Sequence, residues 1–240
     1  MWHLVKKLII GHRGAGFPEP ENTLRSFSKA VEVGVDGIEF DLRLTSDGNI
    51  VVIHDKYVDR TTTGHGAVGT MKLEELRRLD AGLGEKIPTF DEVISAFGNK
   101  TMLHAELKES GFEKEVVKMV KACGIQEKFI ASSANTLVIE RLHDVEPHIR
   151  KALIVETYSG MSSEVLERAI ELRVFGIHPS VHCFSKELLE KATRHGLEIN
   201  VWTVNDESTA AELFSCGVTG IITDRAESMT LLRDRMESKR

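Results

Sequence analysis

Two short stretches place charged side chains where the surrounding hydrophobic pattern would bury a strand. In GIEFDLRLT, residues 37–45, side chains alternate between the faces of an extended chain. Glu39, Asp41 and Arg43 therefore share one face and Ile38, Phe40, Leu42 and Leu44 the other. MLHAELK, residues 102–108, repeats the device with His104, Glu106 and Lys108 opposite Leu103, Ala105 and Leu107. Ionised carboxylates turned inward are costly unless a cation or hydrogen-bond donors compensate them. With the two strands adjacent, Glu39, Asp41 and Glu106 converge. An all-oxygen set of this kind suits a hard divalent cation, Mg2+ or Ca2+, better than Zn2+, which prefers His and Cys. The same spacing also allows an internal ion-pair network with Arg43 and Lys108.

Acid–base and anion-binding groups accompany the carboxylates. His12 and Arg13 follow the apolar run in LIIGHRGAG, and His54 ends the run in IVVIHD. Imidazole titrates near neutrality and can take or give a proton, Arg presents a fixed fork to phosphate oxygens, and Gly14 and Gly16 let backbone N–H groups approach an anion. Each residue alone has an ordinary structural use. Two histidines and an arginine beside a carboxylate cluster suit hydrolysis of a phosphate ester, which needs one proton acceptor and one donor.

Such groups need a scaffold that gathers them. From residue 100 onward, strand-like runs at 102–107, 129–132, 152–155, 174–177, 197–203 and 218–223 alternate with helical stretches beginning near Phe112, Asn135, Ser163, Lys186, Glu207 and Glu227. Ser162, Ser185 and Asp206 are expected N-caps. Upstream, the run 7–10 with a helix over 22–33 forms one further unit, and 37–45 starts another. Eight βα units in 240 residues predict an α/β chain folded as one domain over 1–240: a closed (β/α)8 TIM barrel with functional groups at the C-terminal ends of its strands. An open doubly wound sheet fits less well, because GHRGAG does not match the G-x-G-x-x-G spacing. The second unit is irregular. The turn Ser46-Asp47-Gly48-Asn49 leads to another strand-like run, 50–54, and then to a polar insertion loop at about 55–88 with a short helix over 72–78, before a helix near Phe90. A connection this long usually serves function.

Composition narrows the partners. The chain is 41% hydrophobic and 28% charged with formal net charge −6, and its Lys and Arg residues are scattered, so a nucleic-acid or anionic-membrane partner gets no support. There is no apolar run of membrane-spanning length, and MWHLVKKLII lacks a small-residue cleavage site, so a cytoplasmic protein without stable membrane association is expected. The three cysteines, Cys123, Cys183 and Cys216, are widely spaced and are expected to be buried free thiols.

Taken in order, GHRG, PENT, GIEFDLRLTSDGNIVVIHD, RTTTGHG, LDAG, IPTFDEV, HAELK, WTVND and GIITDRAE resemble the glycerophosphodiester phosphodiesterase family from Gly11 to about Glu227. The resemblance implies a (β/α)8 barrel with a divalent cation, Mg2+ or Ca2+, hydrolysing small-molecule glycerophosphodiesters to sn-glycerol 3-phosphate and an alcohol. It implies Glu39, Asp41 and Glu106 as metal ligands and His12 and His54 as the acid–base pair. It further implies Arg13 and Lys108 as phosphate contacts, and Trp202 as packing against the glycerol moiety, where a core aromatic is the plainer use. Asn22 is expected to cap the first helix or brace the HRG loop, and Asp224 to orient a catalytic His or cap the next helix. The chain departs from the family at Ala134, where an aromatic is common, and at Ala226, where Pro is common, which bears on substrate preference more than on catalysis.

Three other readings compete. A lysophospholipase D-like or phosphoinositide-cleaving enzyme would want an apolar rim, which the polar 55–88 loop does not supply. A non-catalytic sugar-phosphate-binding barrel would not need both histidines, the arginine and all three carboxylates. A Schiff-base aldolase would need Lys108 neutral, against two nearby carboxylates.

Overall fold

The computed structural model describes residues 7–156 and 163–238. Eight parallel strands close into a ring: β1 (Leu8–His12), β2 (Gly37–Leu44), β4 (Met102–Leu107), β5 (Phe129–Ser133), β6 (Lys151–Val155), β7 (Gly176–Pro179), β8 (Glu198–Val201) and β9 (Gly220–Thr223). β1 pairs with both β9 and β2, which completes the ring and leaves the barrel without an edge.

The helices α1 (Leu24–Glu32), α3 (Phe90–Phe97), α4 (Glu113–Ala122), α5 (Thr136–Val145), α6 (Ser163–Glu171), α7 (Lys186–Arg194), α8 (Glu207–Cys216) and α9 (Ala226–Ser238) separate the strands. Ser185 and Asp206 cap α7 and α8 as expected, accepting from Leu188 N and Thr209 N at 3.1 and 2.8 Å. The cap expected at Ser162 lies outside the described residues.

The strand residues of odd and even number part company as the alternation predicts. Ile38, Phe40, Leu42, Leu103, Ala105 and Leu107 join the core shared with the helices, where the Phe27, Phe40, Phe90 and Phe129 rings stack in sequence with centroids 5.7–6.1 Å apart. Their neighbours on β2 and β4 turn into the barrel. Cys183 is buried as expected, but Cys123 and Cys216 are exposed, because they stand at the C-terminal ends of α4 and α8 on turns that face solvent.

The expected irregularity after β2 is a hairpin. β3 (Ile50–Val52) runs antiparallel to β2, with Leu44 opposite Ile50 and Leu42 opposite Val52. β2 rises past the rim of the ring and β3 leads the chain back down, so His54 reaches the mouth from above. The sequence reading put His54 on the correct rim at a strand end, but the strand is antiparallel and lies outside the ring. The insertion carries α2 (Leu73–Leu76) and a small core of its own, in which Val51, Ile53, Val58, Val68, Leu76, Ala81 and Ile87 are buried.

The barrel floor holds two histidines. His104 and His178 are buried with ring centroids 5.8 Å apart; His178 Nε2 meets Asn200 Nδ2 at 3.1 Å, and neither ring nitrogen of His104 has a hydrogen-bond partner among the described residues. Burial pushes His104 down to about 3, with His178 adding to the effect, and burial alone pushes His178 down to about 4. An unfolded chain binds protons on these groups near pH 6.5 that the folded chain refuses, so their stabilisation is full above 6.5 and falls as the pH drops towards 4. For His178 alone the loss between pH 7 and pH 5 is about 2 kcal/mol. Urea denaturation at the two pH values is expected to show a drop that is smaller by this amount in His178→Gln; equal drops would contradict a neutral buried His178.

Candidate active site

Register builds the site before any loop contributes. Asp41 stands directly opposite Glu106 across β2 and β4, and His12 opposite Glu39 across β1 and β2. Neighbouring strands lie about 4.8 Å apart. Ligand oxygens of Glu39, Asp41 and Glu106 accordingly fall within 4.8 Å of one another, at the C-terminal mouth of the ring.

The cluster is strained without a counter-charge. Burial, then the Asp41 charge, pushes Glu39 up to about 8, and the same two causes raise Glu106. Asp41 Oδ1 is buried and makes no hydrogen bond among the described residues. Two cations approach: Arg13 Nε lies 3.5 Å from Asp41 Oδ2, while Lys108 Nζ lies 2.8 Å from Glu106 Oε1 and 3.6 Å from Asp41 Oδ1. Burial opposes the Lys108 charge, but Glu106 and Asp41 outweigh it and hold its pKa above the usual value, which removes the Schiff-base reading. Two cations against three convergent carboxylates leave an acidic excess of the kind a hard divalent ion satisfies, so the donor set fits Mg2+ or Ca2+.

The alternative use of Arg43 as the cation of an internal network does not occur. Its Nε donates to the His54 carbonyl at 2.8 Å and its Nη1 to Glu109 at 3.3 Å, so it leans out of the ring and holds the insertion. Asn22 is a second correction. The N-cap of α1 is Thr23, whose side chain accepts from Ser26 N at 3.2 Å, while Asn22 adopts φ +57° and its Nδ2 donates to Asp41 Oδ2 at 2.8 Å. The helix therefore starts two residues later than expected. Asn22 also braces the HRG loop, its N–H donating to Arg13 O at 2.9 Å.

Both histidines are held the same way. His12 Nδ1 lies 2.6 Å from Asp224 Oδ1, and His54 Nδ1 lies 2.6 Å from Asp55 Oδ1. An ionised carboxylate only accepts, so Nδ1 donates in each pair and Nε2 is left to exchange protons. Asn205 completes the first pair, its Nδ2 donating to Asp224 Oδ2 at 2.8 Å. The two environments differ. Burial opposes protonation of His12, but the Asp224 hydrogen bond and Glu39 prevail and raise its pKa; burial lowers that of His54. Gly16 is required here: at φ +84° an added Cβ would sit 1.7 Å from the Asp224 carbonyl oxygen and push the carboxylate off His12.

A cleft of about 460 Å3 joins these groups and is lined by His12, Arg13, Glu39, His54, Glu106 and Lys108, with Trp202 and Glu156 also on its wall. Trp202 is half-buried, and its indole N–H donates to the His178 carbonyl at 2.8 Å, so its ring is fixed in the wall. All eight residues singled out from the sequence meet at one mouth. The sequence reading did not include Asp55, Glu21, Arg60 or Asn205. Asp55 was signalled by its place directly after His54, and Glu21, Arg60 and Asn205 stand in the words PENT, RTTTGHG and WTVND; what each one touches is set by folding, which pairs Arg60 with Glu21 across 39 positions and Asn205 with Asp224 across 19.

Comparison with known proteins agrees with this architecture. Residues 12–228 match the Glycerophosphoryl diester phosphodiesterase family. A glycerophosphodiester phosphodiesterase of Caldanaerobacter subterraneus subsp. tengcongensis is 37% identical over 238 residues, covering 94% of this chain and 97% of that protein. An Oleispira antarctica phosphodiesterase, solved in complex with the product sn-glycerol-3-phosphate, superposes with a TM-score of 0.88 at 30% identity and covers 95% of this chain and 97% of that one. A glycerophosphodiester phosphodiesterase from Thermotoga maritima gives 0.85 at 27% identity, covering 96% and 100%. With a match spanning nearly the whole chain and its barrel, the protein belongs to the glycerophosphoryl diester phosphodiesterase family.

Proposed function

We propose that the chain is a metal-dependent phosphodiesterase that hydrolyses glycerophosphodiesters to sn-glycerol 3-phosphate and an alcohol. The observation that carries this reading is one mouth that gathers three carboxylates, Glu39 and Asp41 buried and Glu106 half-buried, with two imidazoles each anchored through Nδ1 to its own carboxylate.

Glu39, Asp41 and Glu106 would hold the cation, Mg2+ or Ca2+, which supplies charge neutralisation at the phosphoryl oxygens when bound. Arg13 and Lys108 bind the non-bridging oxygens, Arg13 through its fork and Lys108 as a point charge. One histidine takes a proton at Nε2 from the attacking oxygen, that of water or of the glycerol 2-hydroxyl, and the other gives a proton to the departing alcohol oxygen; after attack by the 2-hydroxyl, water opens the cyclic phosphate with the two proton transfers reversed. Asp224 and Asp55 keep each imidazole in the tautomer that makes this exchange possible. Trp202 forms a flat apolar wall for the glycerol carbons.

A lysophospholipase D-like reading has one favouring observation. Phe17, on the loop between β1 and α1, is 98% exposed, and Leu83, in the insertion, is 66% exposed, so two loops that follow strands of the site each carry an exposed apolar side chain, where the polar 55–88 loop was expected to offer none. The deciding experiment measures sn-glycerol 3-phosphate and lysophosphatidate released from glycerophosphocholine, glycerophosphoethanolamine and lysophosphatidylcholine, with Mg2+ or Ca2+ supplied. Turnover of the two soluble diesters is expected. Cleavage of lysophosphatidylcholine alone would establish the second reading, and binding without turnover of any diester would make the chain a non-catalytic barrel.

A further inference from the structure

One guanidinium hydrogen-bonds the insertion to the loop between β1 and α1. Val58, buried in the small core of the insertion, anchors a turn in which Thr62 N–H donates to Val58 O at 3.1 Å, and this turn projects Arg60 towards the mouth. Arg60 Nε donates to Asp55 Oδ2 at 2.7 Å and Nη2 to Asp55 Oδ1 at 3.0 Å. Its other edge grips Glu21, with Nη1 to Oε2 at 2.7 Å and Nη2 to Oε1 at 2.8 Å. Glu21 in turn accepts from Arg13 Nη1 at 2.9 Å. An unbroken chain therefore runs from Arg13 through Glu21, Arg60 and Asp55 to His54 Nδ1.

We infer that Arg60 is a positioning residue, which locks the His54–Asp55 pair in register with the phosphate-binding fork of Arg13. The inference rests on the roles proposed above for His54 and Arg13. Among the described residues, Arg60 supplies both hydrogen-bond donors that Asp55 receives apart from the imidazole, so without it the carboxylate is free to rotate away from Nδ1. The geometry demands a guanidinium. Two parallel pairs of N–H bonds on two edges hold two carboxylates at a set angle, whereas an ammonium carries the charge without the fork. A purely stabilising role fits poorly. The Arg60 side chain is 48% exposed and both carboxylates are 29% exposed, and ion pairs that open to water add little to folding. The hydrogen bonds from Arg60, foremost, and from His54 hold the Asp55 pKa below the usual carboxylate range, so it stays an acceptor for the imidazole.

The test compares wild type with Arg60→Ala, Arg60→Lys and Asp55→Asn on glycerophosphocholine, with circular dichroism and thermal melting to establish folding. Arg60→Ala is expected to lose about 10- to 100-fold in kcat, the usual cost of removing a partner that orients an active-site group, with a near-native melt. Arg60→Lys is expected to recover little of that loss, and millimolar guanidinium chloride to restore part of the activity of Arg60→Ala. Combining Arg60→Ala with Asp55→Asn should cost little more than the worse single change, because both act through one imidazole. In 15N-edited NMR of labelled histidine, the hydrogen-bonded Nδ1 proton of His54 should be visible in wild type and lost to solvent exchange in Arg60→Ala. Retention of kcat within twofold together with an intact Nδ1 signal would overturn the inference, as would multiplicative effects in the double variant. If Arg60→Ala fails to fold, Arg60→Lys carries the same kcat and NMR comparisons. Absence of turnover in wild type would instead defeat the proposed function, and the NMR signal would still report on Arg60.

Discussion

His54→Ala and His12→Ala are each expected to lower kcat by about 10²- to 10⁴-fold on glycerophosphocholine, the range that a positioned proton-transfer group supplies. A phosphodiester resists attack because a weak nucleophile must lose a proton as it bonds and a poor leaving group must gain one as it departs. Both transfers belong to the transition state, so kcat and kcat/KM should fall together while KM moves little. The pair can be told apart with a glycerophosphodiester whose leaving group is a nitrophenol. That oxygen leaves without protonation, so the variant lacking the acid recovers on this substrate and the variant lacking the base does not. Near wild-type turnover in both variants on the choline ester would remove the histidines from the mechanism.

The second large effect concerns the carboxylates. Chelation is expected to abolish turnover, and added Mg2+ or Ca2+ to restore it. Glu39→Gln should lose about 10³-fold or more at cation concentrations that saturate wild type, as expected when several kcal/mol of charge stabilisation disappear. Stability gives an independent readout. Burial and Asp41 hold Glu39 up to about 8, so its ionised form is unfavourable in the empty site, and the charge cost of keeping it is absent in Glu39→Gln. The sign follows from linkage. A carboxylate with a raised folded pKa contributes stability below its unfolded value near 4.5 and loses it as pH rises towards 8, so at pH 7 the variant should melt no lower than wild type in chelator. On adding cation, wild type should gain about 2.7 kcal/mol at a hundredfold excess over its dissociation constant, and the variant less. Equal gains, or turnover indifferent to a strong chelator, would contradict the metal site.

Much of the site was legible because strand alternation is local. Glu39 and Asp41 point the same way whatever the rest of the chain does, since side chains two residues apart on a strand share a face, and the apolar partners Ile38, Phe40 and Leu42 decide which face meets the helices. Arg43 obeys the same alternation and still leaves the site, because β2 has risen above the ring by that point and the hairpin offers it the His54 carbonyl. Asn22 looked like a helix cap by type. Its positive φ and its bond to Asp41 come from closure of the HRG loop over the mouth, which local propensity does not encode. The strand β7 also begins two residues later than expected, because the Val174 N–H donates back to Ala169 O at 3.1 Å and closes the end of α6, while its side chain is buried in the core.

Residue order and hydrophobic period pointed to eight βα units, a closed parallel ring and the carboxylates Glu39, Asp41 and Glu106 on its inner face, while the family resemblance supplied the parts of His12, His54, Arg13 and Lys108. Tertiary structure decided which of these groups touch. Asp224 reaches His12 across 212 positions, and Arg60 reaches Glu21 across 39. Contacts of that separation depend on ring closure and on strand register. Both are set by the packing of the whole barrel at once, so no short window of sequence carries them.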